Sequence, residues 1–167
     1  MTALRAITVH QPYAWAILHG GKTIENRARI SHHRGPVAIH AGTRWSDRGA
    51  SDPRVKAAAA DAHRRGHHAP EPGPASGVLL PNGLPMGKVI GVVDIADCHP
   101  VTPGCCDDPW ADHDYNGTAI GAHLVLANPR ALADPIRVRG QLGLWTLTAA
   151  QTADVGRQLA EHTGAAS

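Results

Sequence analysis

The chain has 167 residues, the length of one ordinary domain. Hydrophobic residues make up 43% and charged residues 18%. That balance excludes disorder by composition, and no apolar run reaches the about 20 residues that cross a bilayer. A formal charge of +2 with histidine neutral admits an anionic partner without requiring one.

The basic residues are mostly arginine, with lysine only at Lys22, Lys56 and Lys88. Twelve histidines add positive charge as pH falls, because a free imidazole titrates near ~6.5. Met1 to His10 lacks a basic region followed by an apolar core, so the cytoplasm is the expected location and no membrane partner is expected. Cys98, Cys105 and Cys106 are too few for a disulfide framework. With no Phe and six Trp or Tyr, the core must come from Ala, Val, Leu and Ile.

Residues 4–10 read as a β-branched strand. Pro12 stands where a helical turn begins, and Tyr13 to His19 is a short helix stopped by Gly20-Gly21. Residues 22–29 are polar and extended, Gly35-Pro36 is a turn, and residues 37–40 form a short apolar strand. Asp52 caps a helix that opens on Pro53 and stops at Gly66. Residues 66–87 carry five prolines and five glycines, which predicts a long irregular loop. Lys88 to Ala96 is the clearest strand, apolar enough to be covered on both faces. Residues 98–118 are irregular. Further strands are expected at 119–127, 136–139 and 142–147, and Thr148 to Gln151 has the spacing of a capping box that opens a C-terminal helix. Five to seven short strands with about three helices, not alternating regularly, predict an α+β fold: a small mixed β-barrel with helices outside. Residues 1–148 make the domain, and 149–167 a terminal helix and tail.

The chemistry concentrates after the first helix. On a strand over 23–27, Thr23, Glu25 and Arg27 share one face, since side chains alternate. Lys22 can lean over that face from the turn. A carboxylate between two cations orients both, and Lys with Arg is a phosphate-binding pair. A solvated charged strand after a turn is the bland alternative.

The stretch His10-Gln11-Pro12-Tyr13-Ala14-Trp15, running on through Gly20-Gly21-Lys22-Thr23-Ile24-Glu25-Asn26-Arg27, resembles the ASCH domain. The resemblance continues in Gly35 to Gly42, Gly87 to Val93, His123 to Leu126, and Pro135-Ile136 with Gly140 to Trp145. It spans most of residues 4–148. It implies a PUA-like barrel with a cleft beside the first helix, onto which the Lys/Glu/Arg signature looks. Similar domains bind RNA or nucleotide ligands. Some small members hydrolyse the acetyl amide of acetylated cytidine, and others are described as cutting RNA.

The expected ligand-binding set is Gln11, Trp15, Lys22, Glu25, Asn26, Arg27 and His40. Within it Lys22, Glu25 and His40 are the catalytic candidates. The amidohydrolase-like members carry a nucleophilic Thr three residues after the motif Lys. Here that position is Glu25, a poor substitute for a hydroxyl in acyl transfer, and no distant Glu matches. The leading expectation is therefore an RNA- or nucleotide-binding module. The alternatives are a metal-independent ribonuclease, a nucleoside amidohydrolase, and a protein-interaction module using the 66–87 loop. Two basic clusters, residues 63–68 and the pair Arg137/Arg139, are candidate extensions of a phosphate-binding surface. Cys98, His99, Cys105, Cys106 and His113 are zinc-competent residues, but adjacent cysteines without Cys-x-x-Cys spacing speak against one ion. No metal and no cofactor is expected.

Overall fold

The computed structural model describes residues 3–74, 77–115 and 117–164. In chain order the elements are β1 (Arg5–Gln11), α1 (Tyr13–His19), β2 (Ile24–Arg27), β3 (Gly35–Trp45), α2 (Asp47–Ser51), α3 (Pro53–Arg64), β4 (Glu71–Pro72), β5 (Leu79–Leu80), β6 (Lys88–Pro100), β7 (Asp114–Tyr115), β8 (Thr118–Ala119), β9 (Ala122–Arg137), β10 (Leu144–Thr146) and α4 (Ala149–Gly164).

Six strands form one mixed sheet in the order β10-β1-β3-β6-β9-β2. β1 and β3 are parallel; the other neighbours are antiparallel. Although β2 lies at the edge, the Arg27 guanidinium donates to Thr8 O on β1 at 3.0 Å. The sheet therefore curls until one edge reaches back across to β1, a barrel-like PUA-type α+β fold. Bulges in the β6·β9 ladder supply curvature, because an extra residue bends its strand and increases the local twist.

Strand alternation sorts the core. Ile7, Val9, Val37, Ile39, Val93, Ile95, Leu124 and Leu126 point into the curl, with Ala14, Ile17 and Leu18 of α1 against them. Ala6, Ala38, Val89, Val92 and Trp145 face the other way, onto Val155 of α4. β1, β3 and β6 are thus covered on both faces, which is why they read as nearly continuous apolar runs. The opposite side of α1, Trp15 and Ala16, packs on Val55, Ala59 and Ala62 of α3. Ala69, Leu79 of β5 and Leu84 join that cluster, so the described parts of the Pro/Gly-rich segment, expected to be irregular throughout, pair as β4 and β5 and pack on the body of the protein.

Several strands run past their expected ends. β3 extends beyond His40 to Trp45, and β6 beyond Ala96 to Pro100. The segments expected at 119–127 and 136–139 are parts of one bulged strand, β9, while 142–147 shrinks to β10. Pairing explains this: each extension has a partner, such as His99 opposite His123 and Gln11 opposite Trp45. A one-turn helix, α2, is added where Ser46 Oγ accepts from Gly49 N at 3.0 Å. α3 begins as expected, with Asp52 Oδ1 accepting from Arg54 N at 2.9 Å and Pro at the first turn.

Candidate nucleic-acid cleft

A concavity of about 1140 Å³ opens beside the N-terminal end of α1. The ends of β1 and β3, the β2 edge and the segment 137–143 line it. Its charged residues are Glu25, Arg27, Arg44, Arg137 and Arg139, with His10 and His40 beside them. Most arginines elsewhere are ion-paired: Arg34 with Asp97, Arg54 with Asp52 and Asp112, Arg64 and Arg65 with Asp61, Arg130 with Asp94. Among the described residues, Arg44, Arg137 and Arg139 have no acidic partner and are exposed. The basic run at the end of α3 is thus committed to Asp61, while the Arg137/Arg139 pair is free.

Glu25 forms the wall between this cleft and a second, inner pocket of about 120 Å³. Its Oε1 lies 3.4 Å from Arg27 Nε on the cleft side, and its Oε2 lies 3.3 Å from Lys22 Nζ on the inner side. Lys22 is only 4% exposed. Its ammonium donates to Ile24 O and sits 5.6 Å from the ring centroids of both Tyr13 and Trp110. Burial pulls the Lys22 pKa below its ordinary value, and the Glu25 carboxylate opposes that shift. The diglycine turn allows the chain to double back here: Gly21 has φ +69°, a conformation open to Gly without a Cβ clash, and Lys22 N donates to Ala16 O.

The expected residues therefore separate. Lys22, Glu25 and Arg27 come together, but Lys22 faces the inner pocket, with its ammonium already engaged. Asn26 points inward as well. Its Nδ2 donates to Trp110 O at 3.1 Å and its Oδ1 accepts from Asp112 N at 3.2 Å, so it fastens the loop that closes the inner pocket. Arg54 packs over Trp110 at 4.9 Å and bonds Asp112 at 3.0 Å. Tyr13 donates to Asp52 Oδ2 at 3.0 Å. Burial, then the Asp52 charge, raises the phenol pKa.

His40 reaches the cleft wall but is 1% exposed. Its Nε2 is 2.9 Å from Val138 O, and the ring meets Trp145 edge-on at 5.8 Å. Burial lowers its pKa, partly offset by the Val138 carbonyl. Nδ1 is buried with no hydrogen-bond partner, because Gly140 lies over it: a Cβ on Gly140 would stand 2.6 Å from Nδ1. Gln11 and Trp15 lie away from the cleft. Gln11, fully buried, accepts from Trp15 N at 2.9 Å and donates to Pro85 O at 3.1 Å, tying the start of α1 to a loop. Trp15 is buried and donates to His68 O at 3.1 Å.

Arg44 and His10 were missed in the sequence reading. The available signal was alternation: His40, Gly42 and Arg44 line one wall at a period of two, visible only if β3 continues past His40.

The ASCH domain family pattern matches residues 7–135. The chain belongs to the ASCH domain family. Among solved structures, it is similar to the ASCH protein of Zymomonas mobilis at 15% identity and a TM-score of 0.53, over 93% of this chain and 94% of that one. Two mutant forms of that protein, also at 15% identity, give TM-scores of 0.52 and 0.53 over 93% of this chain, with 95% and 97% of theirs covered. Likeness at that identity establishes the fold. No curated protein sequence matches the chain.

Proposed function

We propose that this ASCH domain binds single-stranded RNA or a nucleotide in the arginine-lined cleft. The observation that carries the reading is the distribution of charge. Arg44, Arg137 and Arg139, without acidic partners, converge with Arg27 on one concave surface where Glu25 is the single carboxylate. Guanidinium forks match phosphate geometry, and the volume of about 1140 Å³ exceeds the ~300–1,000 Å³ of typical small-molecule sites, room for more than a base alone. Glu25, oriented by Lys22 and Arg27, offers an acceptor to an amino or hydroxyl group of a base or sugar. In this reading Lys22 positions Glu25 and the arginines meet the phosphates. ASCH domains being of nucleic-acid-binding type supports the same assignment.

Titration of a labelled single-stranded RNA at several salt concentrations tests this. Binding is expected to weaken with salt at a slope of about −0.7 per phosphate contact, and Arg137→Ala and Arg139→Ala are each expected to reduce that slope by about one contact. Binding absent at low salt, or indifferent to the double substitution, overturns the reading.

A second reading, RNA cleavage at the same wall, is favoured by one observation: Lys22, with its lowered pKa, and Arg27 bracket a carboxylate that reaches both pockets. RNA length in the same samples decides it. Shortening that Glu25→Gln abolishes makes the site a nuclease; intact RNA leaves it a binder.

A further inference from the structure

The loop between β6 and β9 brings two cysteines against a pair of cross-strand histidines. His99 on β6 stands directly opposite His123 on β9, with ring centroids 5.3 Å apart at 87°. Cys105 Sγ and Cys106 Sγ each lie 3.5 Å from His123 Nδ1 and 3.9 Å from one another. One ligand-competent atom from each of the four residues falls within 4.8 Å of all the others.

We infer that His99, Cys105, Cys106 and His123 form a structural zinc site. With Zn–S of about 2.3 Å and Zn–N of about 2.05 Å, a regular tetrahedron has S···S edges of about 3.8 Å and S···N edges of about 3.5 Å. The thiol–thiol and thiol–imidazole distances match those edges. Adjacency of the two cysteines, the sequence argument against a shared ion, is no obstacle, because the backbone turns so that both sulfurs face the same ring nitrogen.

The outer contacts select the right lone pairs. His123 is fully buried, and its Nε2 lies 2.9 Å from Asp112 O. Donation to that carbonyl leaves Nδ1 unprotonated and facing the thiols. His99 Nδ1 lies 3.6 Å from Asp97 Oδ2, while its Nε2 is buried without a hydrogen-bond partner. A histidine that donates one nitrogen to a carbonyl and offers the other, as His123 does, is the usual arrangement around zinc. A buried orphan nitrogen otherwise costs free energy, and a metal ligand role removes that cost. Two thiolates with two imidazoles select zinc over harder ions, and four protein ligands close the shell to substrate. His113, 6.1 Å from His123 between ring centroids, and Cys98, whose Sγ accepts from Ser31 N at 3.3 Å, stand outside it.

The site clips the 101–121 loop to both strands at its base. Through His123 and Asp112 O, it is one residue from the Asp112 carboxylate that binds Arg48 and Arg54. Zinc would therefore hold the Trp110–Asp112 wall over Lys22.

Full-length protein expressed in zinc-replete medium and purified without chelator in a phosphine reductant tests the site. About one zinc per chain is expected by elemental analysis. Cobalt(II) exchanged into the site should give thiolate charge-transfer and tetrahedral ligand-field bands. Cys105→Ser and Cys106→Ser should each lower zinc affinity by roughly a hundredfold or more, and Cys98→Ser should leave it unchanged. Wild-type protein holding under about a tenth of an equivalent, and showing no thiolate band with cobalt(II), overturns the proposal whether or not the serine variants fold. Loss of metal in Cys98→Ser equal to that in Cys106→Ser overturns the assignment of ligands.

Discussion

At the residue scale the central fact is the burial of Lys22. Desolvating an ammonium costs several kcal/mol, and the Glu25 carboxylate, the Ile24 carbonyl and two aromatic faces offset it. Removing one member of a buried pair strands the other. Lys22→Ala should therefore destabilise the fold by about 3 kcal/mol, read as a lower midpoint of urea unfolding at constant slope. A change under about 0.5 kcal/mol would mean that the pair is not closed in solution. His40 makes a pH prediction of known sign. Its folded pKa lies below its ordinary value, so the unfolded chain takes up the proton first and the fold is favoured by the neutral form. That contribution is complete above about pH 6.5 and is lost as pH falls through the folded pKa. His19, lowered by burial and by His67 and His68, acts in the same direction. Thermal midpoints should fall between pH 7 and pH 5, and His40→Gln should flatten that decline.

At the element scale the fold depends on a few close contacts that fasten one element to another. α4 offers little apolar bulk, yet Gln158 is 5% exposed and bonds both backbone groups of Asp134 on β9, accepting at 3.1 Å and donating at 3.0 Å. Gln158→Ala leaves a donor and an acceptor without partners and should cost about 1–3 kcal/mol, measurable as faster amide exchange across α4 and the β9 segment beneath it. At the β2 edge, a Cβ on Gly121 would fall 2.1 Å from Ala28 O, a backbone atom, while Gly121 N donates to Arg27 O at 2.9 Å. Gly121→Ala must displace the strand that carries Glu25 and Arg27, at a cost of about 1–3 kcal/mol. RNA affinity should fall beyond what the lost stability explains.

At the scale of the whole molecule the net charge of +2 hides a strong local asymmetry. Many acidic residues pair with arginines around the periphery, and three exposed arginines without acidic partners, Arg44, Arg137 and Arg139, gather along the cleft. A cleft in which four arginines outnumber one carboxylate concentrates positive field and steers an anionic ligand. Arg44→Glu should weaken RNA binding more than Arg44→Ala, and the difference should shrink as salt rises through the Debye regime. Equal losses in the two variants would place Arg44 outside the ligand path. Neither change should move the thermal midpoint, since the side chain is exposed and without an acidic partner.

The sequence alone determined the α+β class, the ASCH assignment, the both-faces burial of Val89 to Val93 within β6 (Ala96, expected to be covered with them, is exposed), and the grouping of Glu25 with two cations. Each is local: a β-branched run, a helix stop at Gly20-Gly21, or an alternation over five residues is written in neighbouring positions. Only the tertiary structure decided where strands ended, because pairing with a distant partner extends β3 to Trp45 and merges two expected strands into β9. It alone turned Lys22 inward and placed Gln11 and Trp15 in the core, since burial depends on what packs above a residue rather than on its neighbours in sequence. It alone brought Arg44 to Arg137 and Arg139, and set His99 against His123 across the β6·β9 ladder with Cys105 and Cys106 of the connecting segment beside them. Long-range contacts of this kind are made by register and curvature, and register is a property of two strands together.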